Sequence, residues 1–239
     1  MAQIAFFAGS YTQAAGHVPK PAGVGISACY LNTSTGQIDK GPIFAEVENP
    51  SWLEWRADDL FAVYESFSGP STVYRFSVNS DHTLTLQAQA SCSGTAVCHF
   101  SLTGSSLYTA AYASGQMDVF DATQLRHLRS FEYQGSGPNR ARQKTAHAHQ
   151  VVISPEGRWC YVCDLGSDMI WRHQAQPLSE PVGIAVPAGI GPRHLVFHPS
   201  NGCVYLVSEL TAELLTFWYS PRTGDLTLID QVATLPEDF

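Results

Sequence analysis

The alternation of apolar and polar positions repeats four times along the chain. Each repeat has a short apolar strand, a polar turn, a second β-rich strand, and then a hairpin of two more strands. Phe61, Tyr108, Tyr161 and Tyr205 align when the repeats are superimposed, 47, 53 and 44 residues apart. The aligned segments are PSWLEWRADDLFAVYE (50–65), VCHFSLTGSSLYTAAY (97–112), AHQVVISPEGRWCYVCDL (148–165) and PRHLVFHPSNGCVYLVSE (192–209). Four strands at a period in the forties predict the blades of a β-propeller.

The N-terminal residues fit the same template from its second strand onward. IAFFAGSY (4–11) corresponds to the second strand, and GVGISACYLNTSTGQIDKGPIFAEV (23–47) supplies the third and fourth. We therefore predict an all-β fold, a β-propeller of four-stranded antiparallel blades, in one domain over residues 1–239. Five blades are expected, and the first lacks its innermost strand. An open arc of five blades would expose an apolar sheet face at each end, so we expect self-association.

Composition supports this fold and narrows the range of partners. The chain has 12 Phe, 10 Tyr, 5 Trp, 19 Gly and 14 Pro in 239 residues, which favours short strands and tight turns. Its net charge is −8, and the sequence shows no evident cluster of Lys and Arg. These features argue against nucleic acid or an anionic membrane as the partner. A small anionic molecule held by a local Arg is compatible with them.

The chain shows no signal for export, for a membrane or for a metal. MAQIAFFAGSYTQ lacks the basic and long apolar regions of a signal peptide, and no apolar run reaches the roughly 18 to 20 residues that span a bilayer. We therefore expect a cytoplasmic protein. Cys160 and Cys163 form a CxxC pair, but they lie in a strand pattern and no second pair completes a zinc site. No metal or cofactor is expected.

Several motifs resemble the lactonase family of seven-bladed propellers, which includes propeller-type 6-phosphogluconolactonases and fungal carboxymuconate cyclases. They are NPSWL, RQKTAHAHQVVISPEGRWCYVCDLGSD, GIGPRHLVFHPSNGCVYLVSEL and the closing ATLPEDF. The most specific part is GPRHLVFHP followed by a Glu at the end of the next strand. This chain differs by an extra loop, QAAGHVPKPAG (13–23), and it stops where members of the family continue for about two more blades. A further Arg of the family's cleft would fall in those blades.

The repeat alignment locates a candidate site, because the inner strands of a propeller converge at one end of the axis. Two aligned sets vary in chemistry while their apolar flanks persist: Ser51, Cys98, His149 and Arg193, and Glu65, Tyr112, Leu165 and Glu209. His149, Arg193 and Glu209 are the predicted catalytic residues, and the family resemblance points to the same His, Arg and Glu. His147, Glu65 and His194 are the predicted substrate-binding residues. We expect the three catalytic residues to share one cleft.

These residue types suit lactone hydrolysis. His149 or Glu209 is a candidate general base, and Arg193 can bind a carboxylate or phosphate or stabilise an oxyanion. The leading hypothesis is a sugar lactonase, most simply acting on 6-phosphogluconolactone, with an anionic sugar lactone or a related acid as the partner. Two alternatives stay open at this point: a carboxymuconate cycloisomerase-type lyase, and a non-catalytic propeller or inactive fragment that serves as a binding platform.

Overall fold

The computed structural model describes residues 3–15, 17–44, 47–200 and 202–236, and every regular element in this part is a β-strand. The last residues of the closing ATLPEDF motif, one residue of the extra loop and two residues of the first predicted blade lie outside the described residues. The strands form five antiparallel sheets, one of three strands and four of four strands. The predicted all-β class and the five blades are confirmed, and the described residues of the first blade form three strands.

The strands follow one another through the blades in chain order. Blade 1 contains β1 (Gln3–Ser10), β2 (Gly25–Asn32) and β3 (Ile38–Phe44). Blade 2 contains β4 (Pro50–Arg56), β5 (Asp59–Tyr64), β6 (Thr72–Val78) and β7 (Leu84–Ser91). Blade 3 contains β8 (Val97–Thr103), β9 (Ser106–Ala111), β10 (Gln116–Asp121) and β11 (His127–Glu132). Blade 4 contains β12 (Ala148–Ile153), β13 (Trp159–Asp164), β14 (Met169–Gln174) and β15 (Val182–Ala185), and blade 5 contains β16 (Pro192–Phe197), β17 (Cys203–Ser208), β18 (Glu213–Tyr219) and β19 (Leu226–Ala233).

The hydrophobic core lies between consecutive blades, in four separate layers. Blades 3 and 4, for example, pack Met117 and Val119 against Val151 and Val162, all of which are buried. Equivalent layers join blades 1 and 2, blades 2 and 3, and blades 4 and 5. Each buried aliphatic or aromatic side chain stabilises the fold by roughly 1.5–3 kcal/mol. The blades are therefore held face to face, with their inner strands side by side.

Two of the aligned tyrosines tie one blade to the next. The Tyr161 hydroxyl donates a hydrogen bond of 2.7 Å to the carbonyl of Gly224, and that of Tyr108 donates one of 3.4 Å to Ala175. Both side chains are fully buried, so each hydroxyl needs such a partner. The sequence repeat thus marks a repeated contact between blades.

Each of the four innermost strands carries a β-bulge near its start. In blade 2, Pro50 pairs with Tyr64 and Trp52 pairs with Val63, which leaves Ser51 without a partner across the ladder. The equivalent unpaired residues in blades 3, 4 and 5 are Cys98, His149 and Arg193. A bulge bends the strand and re-aims a side chain. The four bulged residues are the members of the first aligned set.

The residues that follow the bulges form a layer across the inner strands. Trp52 stacks on His99 with ring centroids 4.0 Å apart, and His99 contacts His194 at 5.9 Å. Gln150, the equivalent residue of blade 4, accepts a 2.6 Å hydrogen bond from the backbone of Leu195. His99 is 5% exposed, and its Nδ1 has no hydrogen-bond partner in the described part of the chain. Burial, followed by the neighbouring His194, lowers the pKa of His99 to about 3.

His99 predicts a specific loss of stability in acid. Its pKa is lower in the folded than in the unfolded state, so between about pH 6.5 and 3 the unfolded chain binds a proton that the folded chain does not. The free energy of unfolding should therefore fall with decreasing pH across this window. His99→Phe keeps an aromatic ring on Trp52 and removes the group that titrates. The part of the pH dependence of the free energy of unfolding that is due to His99, which approaches about 1.4 kcal/mol per pH unit, should then be lost. Urea unfolding of both proteins from pH 8 downward measures it, and parallel curves below about pH 6.5 would contradict it.

The outer faces of the two end blades expose apolar side chains. On blade 1, Ile4, Ile38 and Ile43 are 54%, 57% and 55% exposed, and on blade 5, Val196 and Trp218 are 60% and 53% exposed. The strand register places all three isoleucines on one face of blade 1, turned away from blade 2. Val196 and Trp218 likewise share the face of blade 5 turned away from blade 4. Exposed apolar surface of this kind promotes association.

We expect the chain to self-associate through these faces, and replacing Val196 and Trp218 together by Lys should shift it towards the monomer. The lysines place two charges on the outer face of blade 5, where association would have to desolvate them. Size-exclusion chromatography with light scattering over a range of concentrations measures the shift. Thr85→Lys with Gln89→Lys adds the same charge to exposed positions of blade 2 and should leave the association unchanged. A monodisperse wild-type monomer would refute the expectation.

Candidate functional site

One pocket of about 660 Å³ lies where the inner strands begin. All four bulged residues line it: Ser51, Cys98, His149 and Arg193. Four residues that directly follow second strands of blades also line it, namely Tyr11, Glu65, Tyr112 and Glu209. Trp52 and His194 line it from the layer below, and His17, Phe67 and Arg142 complete the lining. Leu165, the fourth member of the second aligned set, is fully buried instead.

The Glu209 carboxylate accepts hydrogen bonds from both arginines of the pocket. Its Oε2 accepts a hydrogen bond of 3.1 Å from Arg193 Nε, and its Oε1 accepts one from Arg142. His149 Nε2 lies 3.4 Å from Oε2, longer than a good charged hydrogen bond. The contact with His149, and then the hydrogen bond from Arg142, lower the pKa of Glu209 to about 2 against the opposing effect of burial. Glu209 is therefore ionised at neutral pH.

Arg142 reaches the pocket from the loop between β11 and β12. Its guanidinium also donates to the Tyr112 hydroxyl at 3.0 Å, and this bond and the one to Glu209 raise the pKa of Arg142. The next residue, Gln143, is 1% exposed and donates a 2.8 Å hydrogen bond to Asp168 Oδ1. The same oxygen accepts the backbone N–H of Gly191, two residues before Arg193, at 3.0 Å. Asp168 thus anchors both segments that carry the arginines of the pocket.

His149 sits between the charged cluster and the aromatic layer. Its ring contacts Tyr112 and His194 edge to face, with centroids 5.6 and 5.2 Å away. Its Nδ1 is buried and has no hydrogen-bond partner among the residues that the structure describes. Burial, and then the neighbouring His149, lower the pKa of His194 to about 4, so His194 is neutral at physiological pH.

Cys98 lines the pocket without the features of a nucleophile. Its Sγ lies 3.2 Å from the backbone oxygen of His149, and burial raises the pKa of the thiol. A catalytic cysteine needs a stabilised thiolate. The position therefore favours a structural thiol.

A second carboxylate, Glu65, lies in the wall formed by blades 1 and 2. It is 5% exposed and accepts a hydrogen bond from the Tyr11 hydroxyl, which in turn lies 3.0 Å from His17 Nε2. Burial and the Glu65 carboxylate raise the pKa of Tyr11, so its hydroxyl stays protonated. Asn49 Oδ1 accepts the backbone N–H groups of Thr12 and Gln13 at 3.0 and 2.8 Å and fixes the chain after Tyr11.

The structure brings five of the six predicted site residues to this pocket. The Glu209 carboxylate contacts both His149 and Arg193. Other parts of the same cavity are lined by Glu65 and His194. His147 is the exception, because it is not among the residues that line this pocket. It precedes the bulge of β12 and packs behind Tyr112, with its ring stacked at 4.6 Å and Nδ1 2.8 Å from the Tyr112 carbonyl.

Sequence reasoning missed Arg142, Tyr11 and His17. Arg142 belongs to NRARQK, where Arg140, Arg142 and Lys144 place three cations within five residues. The statement that the chain lacks a cluster of Lys and Arg was therefore wrong, and this cluster could have found the residue. Tyr11 directly follows β1, the second-strand equivalent of blade 1, so the repeat alignment could have found it as the counterpart of Glu65 and Glu209. His17 lies in the extra loop 13–23, whose length gave no indication that it returns to the pocket.

Within the described ranges, no three His, Cys, Asp or Glu side chains are arranged to hold a metal ion. Cys160 and Cys163 are both fully buried in β13, and burial raises the pKa of each thiol. In the same part of the chain, no helix has the length and apolar character needed to cross a membrane.

Comparison with known proteins places this chain in a family. A 6-phosphogluconolactonase of Bacillus subtilis (strain 168) is 27% identical over 244 residues, which take in 98% of this chain and 67% of that protein. A crystal structure of a candidate 6-phosphogluconolactonase from Bacteroides fragilis NCTC 9343 matches with a TM-score of 0.86 and 28% identity, covering 98% of this chain and 68% of that one. A protein from Lactobacillus plantarum matches with a TM-score of 0.88 and 25% identity, covering 100% and 69%.

The chain spans about two thirds of the length of these relatives. The profile of the family described as "Lactonase, 7-bladed beta-propeller" matches residues 5–239. With this match over nearly its full length, and with the blade architecture described above, the chain belongs to the lactonase family of seven-bladed β-propellers.

Proposed function

We propose that this protein hydrolyses a sugar lactone, most simply 6-phosphogluconolactone to 6-phosphogluconate. The observation that carries the proposal is the convergence of Arg142, Arg193 and His149 on Glu209 inside one pocket. This arrangement offers a base and two fixed cations to a small anionic ring. The Bacillus subtilis relative is a 6-phosphogluconolactonase, which supports the same substrate class.

His149 is the general base of the proposed reaction. Glu209 is a weak base because its pKa lies at about 2 and each of its oxygens accepts a hydrogen bond from a guanidinium group, which leaves His149 as the base of this cluster. His149 Nε2 lies 3.4 Å from Glu209 Oε2 in the pocket lining, so a water molecule that binds to Nε2 lies beside the carboxylate. The water loses a proton to Nε2 as its oxygen bonds to the lactone carbonyl carbon. Glu209 then stabilises the imidazolium beside it.

The arginines stabilise the charge that develops on the substrate. When water attacks, the electron pair of the carbonyl moves onto its oxygen, and a guanidinium placed there lowers the barrier. When the intermediate collapses, the ring C–O bond breaks and the leaving alkoxide recovers the proton from His149. The products are the open-chain acid and regenerated imidazole. Glu209 holds the Arg193 guanidinium in place through its Nε and leaves the terminal nitrogens of that group for the substrate.

The phosphate of the proposed substrate is assigned to the loop that carries Arg142. Arg140 and Lys144 flank this residue in the sequence and line a neighbouring depression of the surface. They concentrate positive charge beside the pocket of a chain whose net charge is −8. A local cationic patch of this kind attracts an anionic substrate against the overall field.

A carboxymuconate cycloisomerase-type lyase is the second candidate, because the same two arginines can bind carboxylates. It would move a proton within the substrate instead of adding water. Incubating the purified protein with 6-phosphogluconolactone, with glucono-δ-lactone and with a carboxylated muconolactone separates the two reactions. Activity on none of them would favour a non-catalytic binding protein.

Arg193→Lys should lower kcat/KM for lactone hydrolysis by about a hundredfold, although the charge is kept. Lysine lacks the planar fork that reaches Glu209 and the substrate together. The rate of acid release at constant pH, corrected for spontaneous hydrolysis, measures the change. Arg158→Lys, at an exposed position outside the pocket lining, is the matched control and should retain wild-type kinetics. Unchanged kinetics of Arg193→Lys would remove Arg193 from the mechanism.

Replacing Arg140 and Lys144 together by Ser should raise KM for 6-phosphogluconolactone about tenfold. The loss of two exposed charges weakens attraction of the phosphate, and the effect should diminish at high ionic strength. KM for glucono-δ-lactone, which has no phosphate, should stay unchanged. Equal changes for the two lactones would show that the loop does not recognise the phosphate.

A further inference from the structure

The Glu65 carboxylate is the least satisfied charged group of the pocket. It is 5% exposed, and the Tyr11 hydroxyl is the only described donor that forms a hydrogen bond with it. No Lys, Arg or His of the described part lies within ion-pair distance of Glu65. An ionised carboxylate can accept about four hydrogen bonds, and burying it with one donor is unfavourable. The position is therefore suited to donors that a ligand brings.

The contacts of Tyr11 determine which part of Glu65 is available. A phenol hydroxyl has one proton, and Tyr11 uses it to donate a hydrogen bond to Glu65 Oε2. His17 Nε2, 3.0 Å from the Tyr11 oxygen, must then be the donor in that contact. This chain of hydrogen bonds holds Oε2 and leaves Oε1 without a donor from the described residues.

The two carboxylates of the pocket therefore differ in kind. Both oxygens of Glu209 are occupied by guanidinium groups, one from Arg142 and one from Arg193. Glu65 has a spare acceptor and no neutralising cation. A ligand that spans the pocket meets positive charge on the side of blade 5 and a hydrogen-bond acceptor with negative charge on the side of blades 1 and 2.

We propose that Glu65, oriented by Tyr11 and His17, is a hydroxyl-binding subsite that selects polyhydroxylated lactones over lactones bearing a carboxylate at that end. Sugar hydroxyls donate to Oε1 in short, charge-assisted hydrogen bonds. A carboxylate at the same place meets like charge and supplies no donor. The inference rests on the proposed sugar lactonase function and names the part of the substrate that faces blades 1 and 2.

The test compares hydroxylated and deoxygenated substrates. Glu65→Gln keeps the shape of the side chain and replaces an acceptor with a donor. It should raise KM for glucono-δ-lactone about ten- to hundredfold, the usual effect of losing a hydrogen bond to a charged group. KM for deoxy-gluconolactones that lack the contacted hydroxyl should change little. A purely structural role of Glu65 would affect all of these substrates alike and would overturn the proposal.

Two further variants secure the interpretation. Tyr11→Phe removes the hydroxyl that orients Glu65 and should cause a smaller increase in KM, again limited to the hydroxylated lactone. Glu132→Gln neutralises an exposed carboxylate outside the pocket lining and should leave KM and kcat unchanged. If Glu65→Gln does not fold, as judged by circular dichroism, the Tyr11→Phe result decides. Equal KM values for Tyr11→Phe and the wild type would then overturn the proposal.

Calorimetric binding of gluconate and deoxygluconate separates this inference from the proposed function. Failure of the wild-type protein to hydrolyse any lactone would refute the function. If the wild type still binds gluconate more tightly than deoxygluconate, and Glu65→Gln removes this preference, the subsite is supported independently. Equal binding of the two acids by the wild type would overturn the subsite even if lactones are hydrolysed.

Discussion

The site depends on one backbone irregularity that recurs in four blades. A regular strand would point alternate residues to opposite faces of its sheet, and those faces are filled by the packing between blades. The bulge at the start of each inner strand releases one residue from that alternation, so that its side chain enters the pocket. Ser51, Cys98, His149 and Arg193 occupy these positions. The bulge thus fixes where the side chain enters the pocket, and the residue type at that position determines what the side chain can do there.

Electrostatics then distinguishes two halves of the pocket. Glu209 is fully engaged with cations, which keeps it ionised and fixes the guanidinium groups around it. Glu65 is held on one side only, by the Tyr11 hydroxyl, which His17 contacts in turn. A carboxylate of the first kind orients catalytic groups, and one of the second kind is suited to recognise a ligand. The same residue type thus serves two purposes because its neighbours differ.

Much of the fold could be predicted because its signals are local and repeated. The shared aromatics and the strand-turn-strand pattern predicted the blades, and the match of IAFFAGSY to the second strand of the repeat predicted the three-stranded first sheet. The relative position of His149, Arg193 and Glu209 followed from the same register. These inferences needed only the period of the chain and the geometry of a propeller.

The rest of the site depends on contacts between segments far apart in sequence. Arg142 lies 67 residues from Glu209, and Tyr11 lies 54 residues from Glu65. Arg142 approaches from a loop, whose path no periodic pattern specifies, whereas Tyr11 ends the second-strand segment of blade 1 and only its partner was not predicted. Closeness in sequence also misled the prediction for His147. It is only two residues from His149, but its ring stacks on Tyr112 instead of lining the pocket. Because the bulge lies at His149, the side chain of His147 could not be placed from that of its neighbour.

Asp168 has a consequence for how this protein can change over evolutionary time. It contacts no group of the pocket lining, yet it binds the side chain next to Arg142 and the backbone just before Arg193. The distance between the guanidinium groups of Arg142 and Arg193 is thus set by the turn that contains Asp168. Selection for substrate contacts does not act on that turn directly. Divergence at this turn would change the distance between the two guanidinium groups, and with it the anions that they can bind together, while every pocket residue stayed the same. Comparisons restricted to pocket residues would then judge two functionally different descendants to be identical.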